Sequence, residues 1–147
     1  DGMACEEYNR LHPLSETAKE SWVSQQLRLS DGIVVSATDH MRAYSEQIRA
    51  YLPDSRPYVT LGTDGYGRSD TRANLRSYFG VDAAHIVVAT LKKLADEGEV
   101  ENRLVKDAIS SFELDTDRPV AWAPQVHPEV QAVAEYHDNQ TGEGNQS

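Results

Sequence analysis

The sequence predicts an α/β domain built on an incomplete open, mostly parallel sheet with helices on both faces. Three observations carry this. Strand-like runs at Gly32–Ala37 and Tyr58–Leu61 flank a helical stretch, which is the order of a crossover unit. The first run holds three consecutive branched aliphatics, Ile33-Val34-Val35, so both of its faces seek burial. Only two convincing strands occur, whereas an open sheet between helix layers commonly has four to six. A strand partner is therefore expected from another copy or from a longer polypeptide.

Element by element, residues 3–11 are weakly helical and stop at His12-Pro13, because proline disfavours helix in its predecessor. Ser15 is a candidate hydroxyl cap for a helix to about Leu29, with Ala18, Trp22, Val23 and Leu27 on one side. Asp31-Gly32 breaks it before the first strand. Asp39 is then expected to cap a helix carrying Met41, Tyr44, Ile48 and Tyr51 or Leu52, ended by Pro53. After the second strand, a glycine-punctuated loop from Gly62 to Asp70 feeds a helix with Leu75, Tyr78 and Phe79 on one side, closed by Gly80 as a left-handed cap.

Asp82 opens the next helix, striped with Ala83, Ile86, Val87, Leu91, Leu94 and Ala95 as far as Gly98. The last, about Asn102 to Phe112, carries Leu104, Val105, Ala108, Ile109 and Phe112 at amphipathic spacing. Three regions result: a domain over 1–114, a proline-interrupted surface extension over 115–137 with Pro119, Pro124, Pro128 and a short helix at 129–136, and a disordered tail over 138–147, which has no hydrophobic residue.

Composition narrows the function classes. The 147 residues carry 14 Lys+Arg against 24 Asp+Glu, a formal charge of −10, so nucleic acid is not an expected partner. No apolar run approaches the roughly 20 residues that span a bilayer, so no membrane segment is expected. Asp1-Gly2-Met3-Ala4-Cys5-Glu6-Glu7 is acidic where a secretory signal is basic. The single cysteine, Cys5, has no disulfide partner, which fits a reducing cytoplasm. A first residue other than Met suggests a piece of something longer.

The loop Gly62-Thr63-Asp64-Gly65-Tyr66-Gly67-Arg68-Ser69-Asp70 is the most unusual feature, since three glycines allow close backbone approach just before a helix N-terminus. Arg68 and Arg72 favour an anion there, while Asp64 and Asp70 repel one. The spacing matches neither the dinucleotide fingerprint nor the P-loop. A structural turn is the first reading, with an anion site and a subunit-docking loop as alternatives. Among His12, His40, His85, His127 and His137, no pair has the i, i+4 spacing of a metal helix. His40 and His85 read as residues of helix-capping regions. Cys5 beside Glu6 and Glu7 is no thiolate nucleophile. Gly-x-Ser-x-Gly is absent, and Asn139-Gln140-Thr141 matches a glycosylation acceptor by chance. Arg68, Arg72, Arg76, Lys92 and Lys93 form a candidate docking face on an otherwise acidic chain. No catalytic, cofactor-binding or metal-ligating residue is assigned.

The run Leu61–Arg72 resembles the C-terminal domain of the homodimeric, bacterial-type pyruvate dehydrogenase decarboxylating component. Leu11-His12-Pro13, Asp39-His40-Met41 with Glu46-Gln47-Ile48-Arg49, and Val81-Asp82-Ala83 before Ile86-Val87-Val88-Ala89 follow in the family's order and approximate spacing. The likeness covers about residues 5–114, and Gly62–Ser69 is more distantly similar to the corresponding loop of transketolases.

The resemblance implies a transketolase C-terminal-domain-like fragment of a thiamine diphosphate enzyme. Such an enzyme decarboxylates pyruvate oxidatively and acetylates a lipoyl group, and the cofactor carries the carbanion chemistry. It implies that thiamine diphosphate and Mg²⁺ lie between two other domains, contributed by two protomers. This segment is then structural, dimer-supporting and inactive alone, with loop 62–70 structural or inter-domain. The implied partners are the remaining domains of the same enzyme, a second protomer, and the dihydrolipoamide acetyltransferase core, for which the segment is alternatively a docking module. The family's domain opens with a strand, a helix and a strand before the part matching Met3–Leu11. His40 departs from the aromatic residue common at its position.

Overall fold

The computed structural model describes residues 1–53 and 56–123. Helix α1 (Gly2–Leu11) and short helix α2 (Trp22–Leu27) precede strand β1 (Val34–Ala37). Helix α3 (Arg42–Glu46) and a 3₁₀ turn (Arg49–Tyr51) lead to strand β2 (Tyr58–Leu61). Helices α4 (Arg72–Phe79), α5 (Ala83–Asp96) and α6 (Asn102–Ser111) follow.

The strands are parallel and in register Val34↔Tyr58, Val35↔Val59, Ser36↔Thr60 and Ala37↔Leu61. The main-chain N–H groups of Val34 and Thr38 donate to the carbonyls of Pro57 and Leu61. One sheet face carries Ser36, Tyr58 and Thr60, and all three bond to α3. Ser36 Oγ donates to Ser45 Oγ (2.9 Å), Tyr58 Oη donates to the Ser45 carbonyl (2.8 Å), and Thr60 Oγ1 donates to Glu46 (2.5 Å). Since side chains alternate along a strand, Val35, Ala37, Val59 and Leu61 face the other way. Helix α5 packs against both strands, and its Ala83 and Ile86 line one cleft with Ala37. The α/β layering with helices on both faces is as the sequence predicts. Among the described residues no third strand pairs with either edge.

The interior is small: Tyr58, Val81 and Val105 form its apolar core among the described residues, Pro53 is buried as well, and Ser21 and Thr60 are buried polar groups. Two of these polar groups have partners. Ser21 Oγ accepts from the Ser24 N–H (3.1 Å), and Thr60 meets Glu46. Val105 fixes the inward side of α6, whereas Leu104 and Phe112 stand exposed, as does Val87 of α5.

Two expected helices differ from their sequence pattern. The cap of α2 is Ser21, not Ser15, and the helix is only six residues long. The cause is non-local. Asn9 on α1 grips Lys19 from both sides, its Oδ1 accepting the Lys19 N–H at 2.7 Å and its Nδ2 donating to the Lys19 carbonyl at 2.9 Å. Those groups are thereby withdrawn from a helical ladder.

Asp39 likewise caps nothing, because its carboxylate holds Arg76 at 3.0 Å. Met41 is the N-cap residue of α3, and Asp64 from the far loop accepts the Arg42 N–H instead (3.2 Å). The helix stops at Glu46, since Tyr58 engages the Ser45 carbonyl and Arg49 folds back onto Glu46 (2.5 Å), leaving a 3₁₀ turn up to Tyr51.

The later helices match expectation. Asp82 accepts the His85 N–H at the head of α5, Gly80 has φ +70° after α4, and Gly98 has φ +81° after α5. The helix expected at 129–136, the tail 138–147, Pro124, Pro128, His127, His137 and Asn139-Gln140-Thr141 lie outside the described residues.

Candidate functional site

Loop 62–70 leaves the C-terminal end of β2, and Thr38-Asp39 leaves the same end of β1 beside it. In open α/β sheets this is the end where ligands gather. The loop begins with a close crossing. A Cβ on Gly62 would stand 2.7 Å from both the His40 carbonyl oxygen and the Arg42 nitrogen, so this position takes no side chain without displacement of main chain. The crossing is held by hydrogen bonds. Thr63 N–H donates to the His40 carbonyl (2.9 Å) and Thr63 Oγ1 to the Asp39 carbonyl (2.9 Å). Asp64 receives Arg42 Nε at 2.7 Å.

Gly65 has φ +112°, and a Cβ there would meet the Ala121 carbonyl oxygen at 2.7 Å, because residues 115–123 pass along the loop. Trp122 of that strap lies over the Arg42 guanidinium at 5.1 Å. Tyr66 is exposed, and Gly67 has open space around it. Asp70 accepts the Thr71 N–H (2.7 Å) and Asn74 Nδ2 (2.8 Å), and Thr71 Oγ1 accepts the Asn74 N–H (3.3 Å), so the loop hands over to α4 through two successive caps. The Thr71 N–H and then Asn74 hold the Asp70 carboxyl below its ordinary range.

A cleft of about 490 Å³ opens between this loop and α4, with Arg68, Arg72 and Arg76 on its walls and Leu75 and Phe79 at its apolar side. Its charges are mixed, for Asp39 and Asp70 line it as well. Arg76 is bound to Asp39, whose carboxyl it lowers, and Arg68 lies over the Tyr78 ring at 4.4 Å. The other two cations of the expected docking face are engaged on α5, where Lys92 pairs with Asp96 and Lys93 with Glu97 (2.7 Å). Arg72 makes no hydrogen bond or ion pair with a described residue, though after Arg76 its charge also helps to hold the Asp39 carboxyl down. The structure thus brings Arg68, Arg72 and Arg76 to one cleft and leaves Lys92 and Lys93 on another helix.

The histidines are separate. His12 stacks on Tyr8 (4.0 Å between ring centroids), and His40 meets Tyr44 edge-on. His85 sits between Asp82, the cap of its own helix, and Arg118, whose approach no local pattern in the sequence announces. Among the described residues no group of three or more metal-ligating side chains comes together. No described helix is long and apolar enough to cross a membrane.

Comparison with known proteins gives one consistent answer. The chain is 47% identical over 118 residues to the pyruvate dehydrogenase E1 component of Escherichia coli (strain K12), 49% identical to that of Haemophilus influenzae, and 43% identical to that of Buchnera aphidicola subsp. Acyrthosiphon pisum. Each match covers 80% of this chain and 13% of the relative, so the chain spans about an eighth of the length of these relatives. No family model matches. The chain therefore matches a fragment of the bacterial pyruvate dehydrogenase E1 component.

Proposed function

We propose that the chain is the C-terminal, structural segment of a thiamine diphosphate-dependent pyruvate dehydrogenase E1 component, supporting a homodimer and taking no chemical part itself. The observation that carries this is the Gly62 crossing and its bonds. What most resembles the family is committed to joining the ends of β1 and β2 through His40, Arg42, Thr63 and Asp64. The same polypeptide would supply the further strands, since among the described residues both edges of the two-stranded sheet are left unpaired.

Thiamine diphosphate and Mg²⁺ do not fit the described residues. A hydrated Mg²⁺ on a diphosphate needs converging oxygen ligands, whereas the carboxylates of the loop cleft are taken by Arg76, Thr71 and Asn74. In this reading both lie elsewhere in the parent enzyme, and no step of the reaction passes through this chain. Loop 62–70 faces another domain, for which the exposed Tyr66 is suited. Arg72, on the wall of the open cleft and without a hydrogen bond or ion pair to a described residue, favours a second reading in which this surface meets the dihydrolipoamide acetyltransferase core.

The test is carbon dioxide release from pyruvate by the full-length polypeptide supplied with thiamine diphosphate and Mg²⁺, beside the 147-residue chain under the same conditions. Activity confined to the full-length polypeptide is expected. Activity in the chain would overturn the structural role, and an inert full-length polypeptide would overturn the assignment of the reaction.

A further inference from the structure

The 115–123 strap is anchored at one point by a charged side chain. Arg118 Nη1 donates to the Ser77 carbonyl at the end of α4 (2.6 Å), and Arg118 Nη2 donates to His85 Nε2 (2.8 Å). A guanidinium has donors only, so Nε2 must be the bare nitrogen of a neutral imidazole, and the ring proton sits on Nδ1. There it donates to Asp82 Oδ1 at 2.6 Å. Gly80 makes room for this cluster: a Cβ at that site would stand 3.1 Å from Arg118 Nη2 and 3.3 Å from His85 Cδ2. The His85 side chain is 18% exposed.

We infer that His85 and Arg118 form an acid-sensitive latch that holds the 115–123 strap against the glycine loop. When His85 takes a second proton, Nε2 becomes a donor and a cation, and it can only repel the guanidinium it now binds. The charged groups facing the ring are Asp82, from the head of α5, and Arg118, from the strap; Arg76 on α4 is turned to Asp39. Asp82 welcomes the added charge and keeps the ring in place, so Arg118 is the group that leaves. Release of Arg118 frees the strap from Ser77 and loosens Ala121 against Gly65 and Trp122 over Arg42. That uncovers the cleft beneath the strap, which Leu61, Tyr78 and Phe79 line.

The test is hydrogen–deuterium exchange of the strap in the full-length polypeptide at about pH 7.5 and about pH 5.5, corrected for intrinsic exchange. Acidification should speed exchange of the strap amides that hold hydrogen bonds, Asp117 on Asp115 and Ala123 on Val120, by roughly tenfold, the scale of one charge-assisted hydrogen bond, while β1 and β2 stay protected. In His85→Gln, whose amide oxygen accepts from Arg118 at either pH, the acid response should vanish. In Arg118→Gln the strap should exchange fast at both. An unchanged strap on acidification, an acid response that persists in His85→Gln, or native protection in Arg118→Gln at neutral pH would each overturn the latch.

Discussion

Replacing Gly62 by alanine tests the crossing at the heart of the fold. The new methyl would lie 2.7 Å from the His40 oxygen, 2.7 Å from the Arg42 nitrogen and 2.8 Å from Arg42 Cγ, where ordinary contact begins at 3.4 Å. Two of these neighbours are main chain, so the strand ends must part by several tenths of an ångström. Overpacking of this kind costs about 1–3 kcal/mol. The Thr63–His40 hydrogen bond, 2.9 Å at rest, stretches out of range for about another 1 kcal/mol. The Arg42–Asp64 pair is partly exposed, with side chains 44% and 24% accessible, and adds at most about 1 kcal/mol. A loss of about 2–5 kcal/mol is expected, or about 4–20 °C in the melting of the part of the protein that includes this segment. Gly67→Ala is the internal control. It lies five residues on in the same loop, with nothing within 4 Å of the added methyl, and should melt within about 1 °C of the parent. Calorimetry of both variants in the full-length polypeptide decides the matter; equal melting would refute the steric argument.

Other expectations follow from the same geometry. Arg49 and then Thr60 hold the Glu46 carboxyl down to about 2, from an ordinary value of 4.5. Its stabilising contribution is present above about pH 4.5 and is lost as pH falls toward 2, so Glu46→Gln should destabilise at neutral pH by about 1 kcal/mol or less after solvent screening and flatten acid unfolding in that window, read by circular dichroism. Ser21→Ala removes a buried cap and should cost about 1–2 kcal/mol in thermal melts, whereas Ser15→Ala should change nothing measurable. Arg72→Glu should weaken binding of the acetyltransferase core in surface plasmon resonance and reduce its salt dependence. Unaltered affinity would remove the docking reading.

What the sequence makes legible is what local pattern encodes. β2 carries its alternation in four residues, and Asp82, Gly80 and Gly98 mark helix ends through their own capping and φ chemistry. The misread boundaries share one cause, a partner far along the chain. Ser15 loses its helix to the grip of Asn9 on Lys19, and Asp39 gives up its capping role to Arg76, 37 residues away. Asp64 then caps α3 across 22 residues. The site shows the same division. Three glycines announce a close approach but not that Gly62 meets His40 and Arg42, nor that Gly65 meets Ala121. The docking cations are visible as charge, and the i, i+4 pairs Lys92–Asp96 and Lys93–Glu97 as helical spacing, while Asp39 on Arg76 and the Tyr78 ring under Arg68 come only from folding.

The central claim is that this segment holds scaffold and no cofactor. The most direct measurement is the affinity of the full-length polypeptide for thiamine diphosphate with Mg²⁺, by titration calorimetry, for the parent and for Arg72→Gln. Arg72 lines the cleft that would cradle a diphosphate if this chain held one; it makes no hydrogen bond or ion pair with a described residue, and the melting temperature of Arg72→Gln reads whether the fold tolerates its loss. Equal affinity is predicted. A drop of about tenfold or more at unchanged melting temperature would place the cofactor in this cleft and contradict the claim.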